Sequence, residues 1–308
     1  MYRSKKRFGN YNLCYFNILI VIYLVFLSEE PLSVSQKSLP LNLRNIENTG
    51  MQIITLTSDW GTTDHYLASV KGVLYSAAPG ATIVDITHEI PCFDISRAAF
   101  ILKNAYGSFP DNTVHIIGMN TTASEKTPHI VARFRNQYFI GADTGIFSLI
   151  FDDKPEWIRE LDIWQDSDYF TFSTRDVFAK AAALIANGDD IQKLGPLIET
   201  LNQLSRYQPT IQGNIIRGVV VYIDRYENVF TNISESFFRQ HIKSGQKFEI
   251  SVRNNTIRKL SKSYMDVPPG EILALFSTNG YLQIAQNHSN AASLLGMNID
   301  DTITISFE

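Results

Sequence analysis

Between residues 51 and 201, short apolar runs rich in β-branched residues alternate with segments whose apolar positions recur every three or four residues. This alternation limits the fold more than any other feature of the chain. The runs at 53–56, 82–86 and 113–117 read as buried strands. The segments at 66–77, 95–106 and 175–187 read as helices. In the first of these, Leu67, Val70, Val73 and Leu74 share a face, and Pro79-Gly80 stops the helix. Residues 129–134 and 138–140 flank Arg135-Asn136 as a hairpin-like pair. Strands alternating with helices predict an α/β domain, with a central parallel or mixed sheet flanked by helices.

The tail has a different rhythm. Runs at 215–223, 247–252, 272–277, 281–285 and 302–307 are strand-like, with turns at Glu227-Asn228, Asn254-Asn255, 268–270 and Asn279-Gly280. An Asn-Gly pair between apolar runs is a strong hairpin signal. A small antiparallel β domain is expected here, its boundary falling in the polar stretch 199–213. The domains are therefore 51–201 and 202–308, in line with two domains for 308 residues.

Residues 1–50 stand apart. Arg3, Lys5, Lys6 and Arg7 precede an apolar run at 15–27 and then polar sequence. The pattern resembles a secretory signal or short anchor, but falls short of the ~20 residues that span a bilayer. The other reading places the true start at Met51, with 1–50 a spurious extension; everything interpretable begins there. That reading expects a cytoplasmic protein, and the first expects export or anchoring through residues 11–28.

Bulk properties exclude some functions. The net charge is −4, and residues 51–308 show no basic patch, which argues against a nucleic-acid partner. Cys14 and Cys92 lie in dissimilar contexts without zinc spacing, so neither a disulfide framework nor a metal site is expected.

Four segments place polar groups where strands end or helices begin. In open α/β sheets ligands collect at strand ends. Asp59, closing the first strand, offers a carboxylate able to accept two hydrogen bonds from a ribose diol; alternatively, Asp59 and Asp64 cap the following helix. His88, in Asp-Ile-Thr-His, reads as a base, a metal ligand or a hydrogen-bonded structural histidine, with Asp85 as its orienting partner. No second His or Cys lies nearby to support a metal. Phe172-Ser-Thr-Arg-Asp176 opens a helix, where Ser173 or Thr174 could cap and an anion could settle; an Arg175–Asp176 ion pair is the plainer alternative. Asp224 and Asn228 flank a tight turn and offer a carboxylate and an amide, or form a simple Asx-type turn. Nucleophile-elbow, phosphate-loop, dinucleotide and zinc signatures are absent from the sequence. The residues alone therefore indicate a small-molecule site with the reaction unassigned.

In chain order, TSDWGTTDHYLASVKGVLYSAAPGATIVDITHEIPCFDI, AAFILKNAYGSFPDNTVHI, FSTRDVF, IDRYENVFTNI and NGYLQIAQN resemble the S-adenosylmethionine hydroxide adenosyltransferase family, which includes the fluorinase and chlorinase. The resemblance spans nearly all of residues 51–308. It implies that the second domain is β-barrel-like. It also implies a homotrimer binding S-adenosylmethionine between the first domain of one subunit and the second domain of its neighbour. The implied reaction is displacement at the ribose 5′ carbon by water or halide, with methionine leaving and no metal or other cofactor. Asp59 matches the ribose-gripping carboxylate, and Phe93 matches an aromatic flanking the ligand. Asp224 and Asn228 match the pair at the methionine head group and ribose, and Thr278 and Asn279 a loop at the methionine end or adenine.

The departures from the family pattern concern the water-activating Asp, Arg and His of the hydrolases. Asn120 replaces the acid, the Arg falls near Lys126 or Thr127, and Ser173 replaces the His. Halogenases carry a Tyr at the position of Ser173, and Thr174 matches the fluorinase Ser that comes after it. The expectation is a slow hydrolase giving adenosine and methionine, with Asn120, Ser173 and Thr174 positioning water. The alternatives are a halide-using transferase and a binding protein without turnover.

Overall fold

The computed structural model describes residues 52–165, 168–205 and 207–308. The expectations for residues 1–50 lie outside the described residues. Strand β1 (Ile53–Ser58), helix α1 (His65–Ala77), β2 (Thr82–Thr87), α2 (Ile95–Ala105), β3 (Val114–Gly118), β4 (His129–Phe134), β5 (Gln137–Ala142), α3 (Ile146–Ile150), β6 (Trp157–Glu160), α4 (Ala179–Ala186) and β7 (Leu197–Ile198) build the first half. Their strands form one seven-stranded sheet in the order β2-β1-β3-β5-β4-β6-β7. β1 runs parallel to β2 and β3, and β3 parallel to β5, while the remaining pairs are antiparallel.

Alternation along the strands gives each face of the sheet its own core. Ile54, Leu56 and Ile116 pack with Val70 and Leu74 of α1, Ala182 of α4 and Phe178 just before it. Ile117 and Met119 pack with Ala98 and Leu102 of α2 and Phe147 of α3. β2 and β3 lie on opposite sides of β1, so the chain reverses direction about that strand. The C-terminal ends of β1 and β3 therefore flank a topological switch point, where open α/β sheets leave a crevice.

The second half contains β8 (Thr210–Gln212), β9 (Ile215–Ile223), β10 (Val229–Ser234), α5 (Glu235–His241), β11 (Phe248–Val252), β12 (Asn255–Ile257), β13 (Ile272–Phe276), β14 (Tyr281–Gln286), α6 (Ala291–Leu295) and β15 (Thr302–Phe307). The sheet order is β12-β11-β15-β9-β10-β14-β13, with β8 paired to β9. A bridge from Leu260 to Ala274 brings the chain beyond β12 onto β13, nearly closing the sheet into a barrel. Its interior is filled by Ile216, Val220, Ile233, Ile250, Leu282 and Ile305. The two halves meet along α2. Phe100 stacks on Tyr222 with ring centroids 4.3 Å apart, and Arg97 lies over the same tyrosine ring.

Candidate small-molecule site at the ends of β1 and β3

Residues 54–58 are fully buried as β1 crosses the sheet, and Asp59 is the first side chain beyond the strand to reach partial exposure. Its Oδ2 accepts the backbone N–H of Phe93 at 2.9 Å. No hydrogen bond from another described residue reaches Oδ1, so that oxygen keeps its full accepting capacity. Phe93 is held with φ at 68° and is 74% exposed. Its amide, rather than its ring, makes the contact with Asp59. Helix capping does not engage either acid. Asp64 occupies the N-cap of α1 without a side-chain cap bond, whereas Asp94 caps α2 through Arg97 N.

Beneath this corner lies the histidine of the Asp-Ile-Thr-His segment. His88 Nδ1 is 2.6 Å from Ser58 Oγ, and its Nε2 is 3.1 Å from Asp85 Oδ1. Asp85 Oδ2 in turn takes Lys71 Nζ at 2.6 Å. Burial pushes the Asp85 carboxyl up, but the Lys71 and His88 contacts outweigh it and hold it below the usual carboxylate range. His88 is thus the hydrogen-bonded histidine of the three sequence readings. Among the described residues, no group of three or more His, Cys, Asp or Glu side chains is placed to hold a metal ion.

Asn120 sits just past β3 with φ at 46°, a left-handed conformation that asparagine tolerates better than most residues. The next carbonyl, of Thr121, bonds His129 Nε2 at 2.8 Å. Burial pushes His129 down, which favours the neutral imidazole. Ser173 and Thr174 are buried at the start of a π-type turn, Thr174–Phe178, that continues directly into α4. Neither side chain caps that helix, and Thr174 Oγ1 has no partner among the described residues. Arg175 and Asp176 form the plain ion pair, through two bonds of 2.6 and 2.8 Å.

Aromatic rings that sequence reading did not single out link these pieces. The Trp60 indole lies across β3 at Gly118, where an added Cβ would come within 2.4 Å of the ring edge. Phe172 meets Trp60 edge-on at 5.6 Å and Tyr66 at 5.2 Å. Trp60 is the neighbour of Asp59, Gly118 lies two residues before Asn120, and Phe172 precedes Ser173. The structure therefore joins Asp59 to Phe93 at the switch point, and packs the segments that carry Asn120, Ser173 and Thr174 against the same aromatic cluster. The available signal was the ring directly beside the strand-ending acid.

Four of the remaining predicted residues lie in turns of the second half. Asp224 Oδ1 accepts Asn228 N at 2.8 Å and Oδ2 accepts Asn228 Nδ2 at 2.9 Å, so the Asx-type turn is present. Thr278 and Asn279 line a cleft of about 460 Å³, together with Phe100, Lys103, Arg135 and Tyr281. Asp59, Phe93, Asp224 and Asn228 are not among its walls. Lys126, exposed in the turn after Asn120, contributes its carbonyl to Asn202 Nδ2 at 2.7 Å.

The profile of the SAM hydroxide adenosyltransferase N-terminal domain matches residues 54–195, and that of the family's C-terminal domain matches 218–304. An (R)-S-adenosyl-L-methionine hydrolase of Methanocaldococcus jannaschii is 30% identical over 271 residues, covering 83% of this chain and 97% of the relative. The enzyme of the same name from Thermus thermophilus is 30% identical over 261 residues, covering 80% of this chain and 96% of its own. A fluorinase from an Actinoplanes species is more distant, at 22% identity over 295 residues, covering 83% of this chain and 98% of its own. The crystal structure of an uncharacterized conserved protein from Thermotoga maritima superposes with a TM-score of 0.75 at 28% identity, covering 83% of this chain and all of that one.

Proposed function

This chain belongs to the SAM hydroxide adenosyltransferase family, and from that premise we propose that it hydrolyses S-adenosylmethionine to adenosine and methionine. The observation that carries this reading is the Asp59 carboxylate at the switch point, steadied on one oxygen by Phe93 N–H and open on the other. A cis-diol presents adjacent hydroxyl donors, and a carboxylate accepts both at charge-assisted strength.

The step is an in-line displacement. The water oxygen bonds to C5′ as the C5′–S bond breaks, its electron pair passes to sulfur, and the water proton leaves to solvent. Sulfur goes from cationic sulfonium to neutral thioether, so the leaving group needs no protonation. The protein's part is to align water, C5′ and sulfur and to limit competing solvent. Asn120, Ser173 and the unpartnered Thr174 hydroxyl supply hydrogen bonds that orient the water. None is a strong base, and general-base catalysis contributes ~10²–10⁴-fold, so turnover is slow. In this reading a homotrimer completes the pocket. Asp224, Asn228, Thr278 and Asn279, all in turns between strands of the second sheet, reach the ligand of a neighbouring copy.

Incubation with S-adenosylmethionine, with and without chloride, and chromatography of the products test the proposal. Adenosine in both samples supports it. No adenosine above the uncatalysed background after many hours defeats it. Chloride-dependent 5′-chloro-5′-deoxyadenosine would transfer the reading to a halide-using transferase, and recovery of bound, intact ligand to a binding protein.

A further inference from the structure

Ser58, His88, Asp85 and Lys71 form a chain of contacts of 2.6, 3.1 and 2.6 Å. The Ser–His–Asp order resembles a nucleophile with its base and orienting acid. Burial excludes that role, since Ser58 is 1% exposed and His88 4% exposed. A substrate atom has no approach to the Ser58 hydroxyl. The histidine instead acts on the chain around it. Its Nδ1 meets Ser58, its ring lies under Trp60 at 6.3 Å with 15° between planes, and its carbonyl accepts Gly61 N at 2.8 Å. The residues before and after Asp59 are therefore both fastened to His88, which the Asp85–Lys71 pair holds from behind.

Asp85 Oδ1 stands 3.1 Å from Nε2 without the alignment of a hydrogen bond, so the hydrogen bond that ties the ring to β1 is the one between Nδ1 and the Ser58 hydroxyl. Asp59 itself does not touch this chain. Its carboxylate reaches across to Phe93 N, thirty-four residues away in sequence. A free strand end would let that carboxylate swing. Anchoring on both sides sets the direction from which it meets Phe93 and any ligand.

We infer that His88 is a positioning residue for Asp59, acting through Ser58 and Trp60 and not on the substrate. The claim about ligand affinity rests on the proposed S-adenosylmethionine reading, whereas the claim about geometry does not. Three variants separate the contacts. In His88→Asn the side-chain amide overlays Nδ1, keeping the Ser58 bond. In His88→Gln it overlays Nε2, keeping the Asp85 side and losing Ser58. Ser58→Ala removes a single oxygen and leaves the histidine intact, so it carries the test if a ring substitution lowers folding yield.

The first readout is NMR exchange of the Phe93 amide in the ligand-free protein, with the Ile116 amide in the central sheet as control. A freed strand end opens locally, so Phe93 exchange is expected to rise about tenfold in His88→Gln and Ser58→Ala and to stay within about twofold in His88→Asn, with Ile116 unchanged. The second readout is S-adenosylmethionine affinity by calorimetry, expected to weaken about tenfold in the same two variants and to recover in His88→Asn. Unchanged Phe93 exchange in Ser58→Ala overturns the positioning role. So does faster exchange with unaltered affinity, in a protein that binds the ligand. A wild-type protein that does not bind S-adenosylmethionine defeats the proposed function, and Phe93 exchange then judges the positioning claim alone.

Discussion

Asp59 and Asp224 are both strand-ending carboxylates, and the fold treats them in opposite ways. Asp224 spends both oxygens on Asn228, four residues on, inside its own turn. Asp59 spends one oxygen on the amide of a remote loop and keeps the other open. A carboxylate satisfied locally stabilises its hairpin, whether or not a ligand is present. One held from a distance does little for local structure and retains capacity for binding. Burial at each place is consistent with this division. The Asp224 turn ends on the buried Asn228, whereas Asp59 borders partly exposed Trp60 and exposed Phe93.

The contrast breaks most directly at Asp59. Two charge-assisted hydrogen bonds at roughly 1.5 kcal/mol each predict that Asp59→Ala weakens S-adenosylmethionine binding by about a hundredfold, with little change in melting temperature. Calorimetry paired with thermal melts checks both halves, and a large loss of stability would erase the distinction between the two acids.

A second test uses a closed polar cluster as reference. His115 is fully buried, with Nδ1 2.7 Å from Thr55 Oγ1 and Nε2 3.1 Å from Gln137 Oε1. Burial, only partly offset by Gln137, pushes its imidazole down to about 4. The folded value lies below the unfolded one, so this stabilisation is complete above the ordinary histidine range. It is lost as pH falls towards about 4, to a total of about 3 kcal/mol. Urea melts from pH 7 to pH 4 should show that loss in wild type and a flatter profile in His115→Gln.

Asp224→Ala should cost folding stability that Asp59→Ala does not, besides any ligand contact it makes in a neighbouring copy. Loss of the two turn bonds predicts a destabilisation of about 1–2 kcal/mol, measurable by urea denaturation. Equal effects of Asp59→Ala and Asp224→Ala on stability would remove the contrast between them. The smallest effect is expected at Thr174. Its hydroxyl is buried without a partner, so Thr174→Val should stabilise the fold by about 1 kcal/mol while slowing adenosine formation. Stabilisation with undiminished turnover would remove Thr174 from the water-orienting set.

Long periodic segments were legible from sequence, and short ones were not. β9 and β15 run as their apolar alternation predicts, and Arg135 and Asn136, at φ of 49° and 62°, make the turn their pairing implied. The helix expected at 175–187 begins instead with a π-type turn at Thr174 and ends at Ala186. Helices α3, α5 and α6 are five to seven residues long, too short for a helical period to emerge. β10 was hidden differently. Its Val-Phe-Thr-Asn-Ile core carries a strand signal, but the segment stands out more for its polar neighbours Asp224 and Asn228. At the site, Asp59 was visible because the residue just past a buried strand emerges towards solvent. The amide of Phe93 was not, because a backbone donor leaves no mark on residue identity. The His88 contacts were legible as one of three alternatives. Only folding together β1, β2 and α1 selects among them.

The indole of Trp60 occupies the slot left by a residue without a side chain at position 118. Any larger residue there must evict the ring, and with it the aromatic neighbour of the acid that closes β1. An effort to reshape this crevice for a bulkier sulfonium should therefore leave position 118 alone and vary Tyr66 or Phe172, which touch the same cluster from its rim.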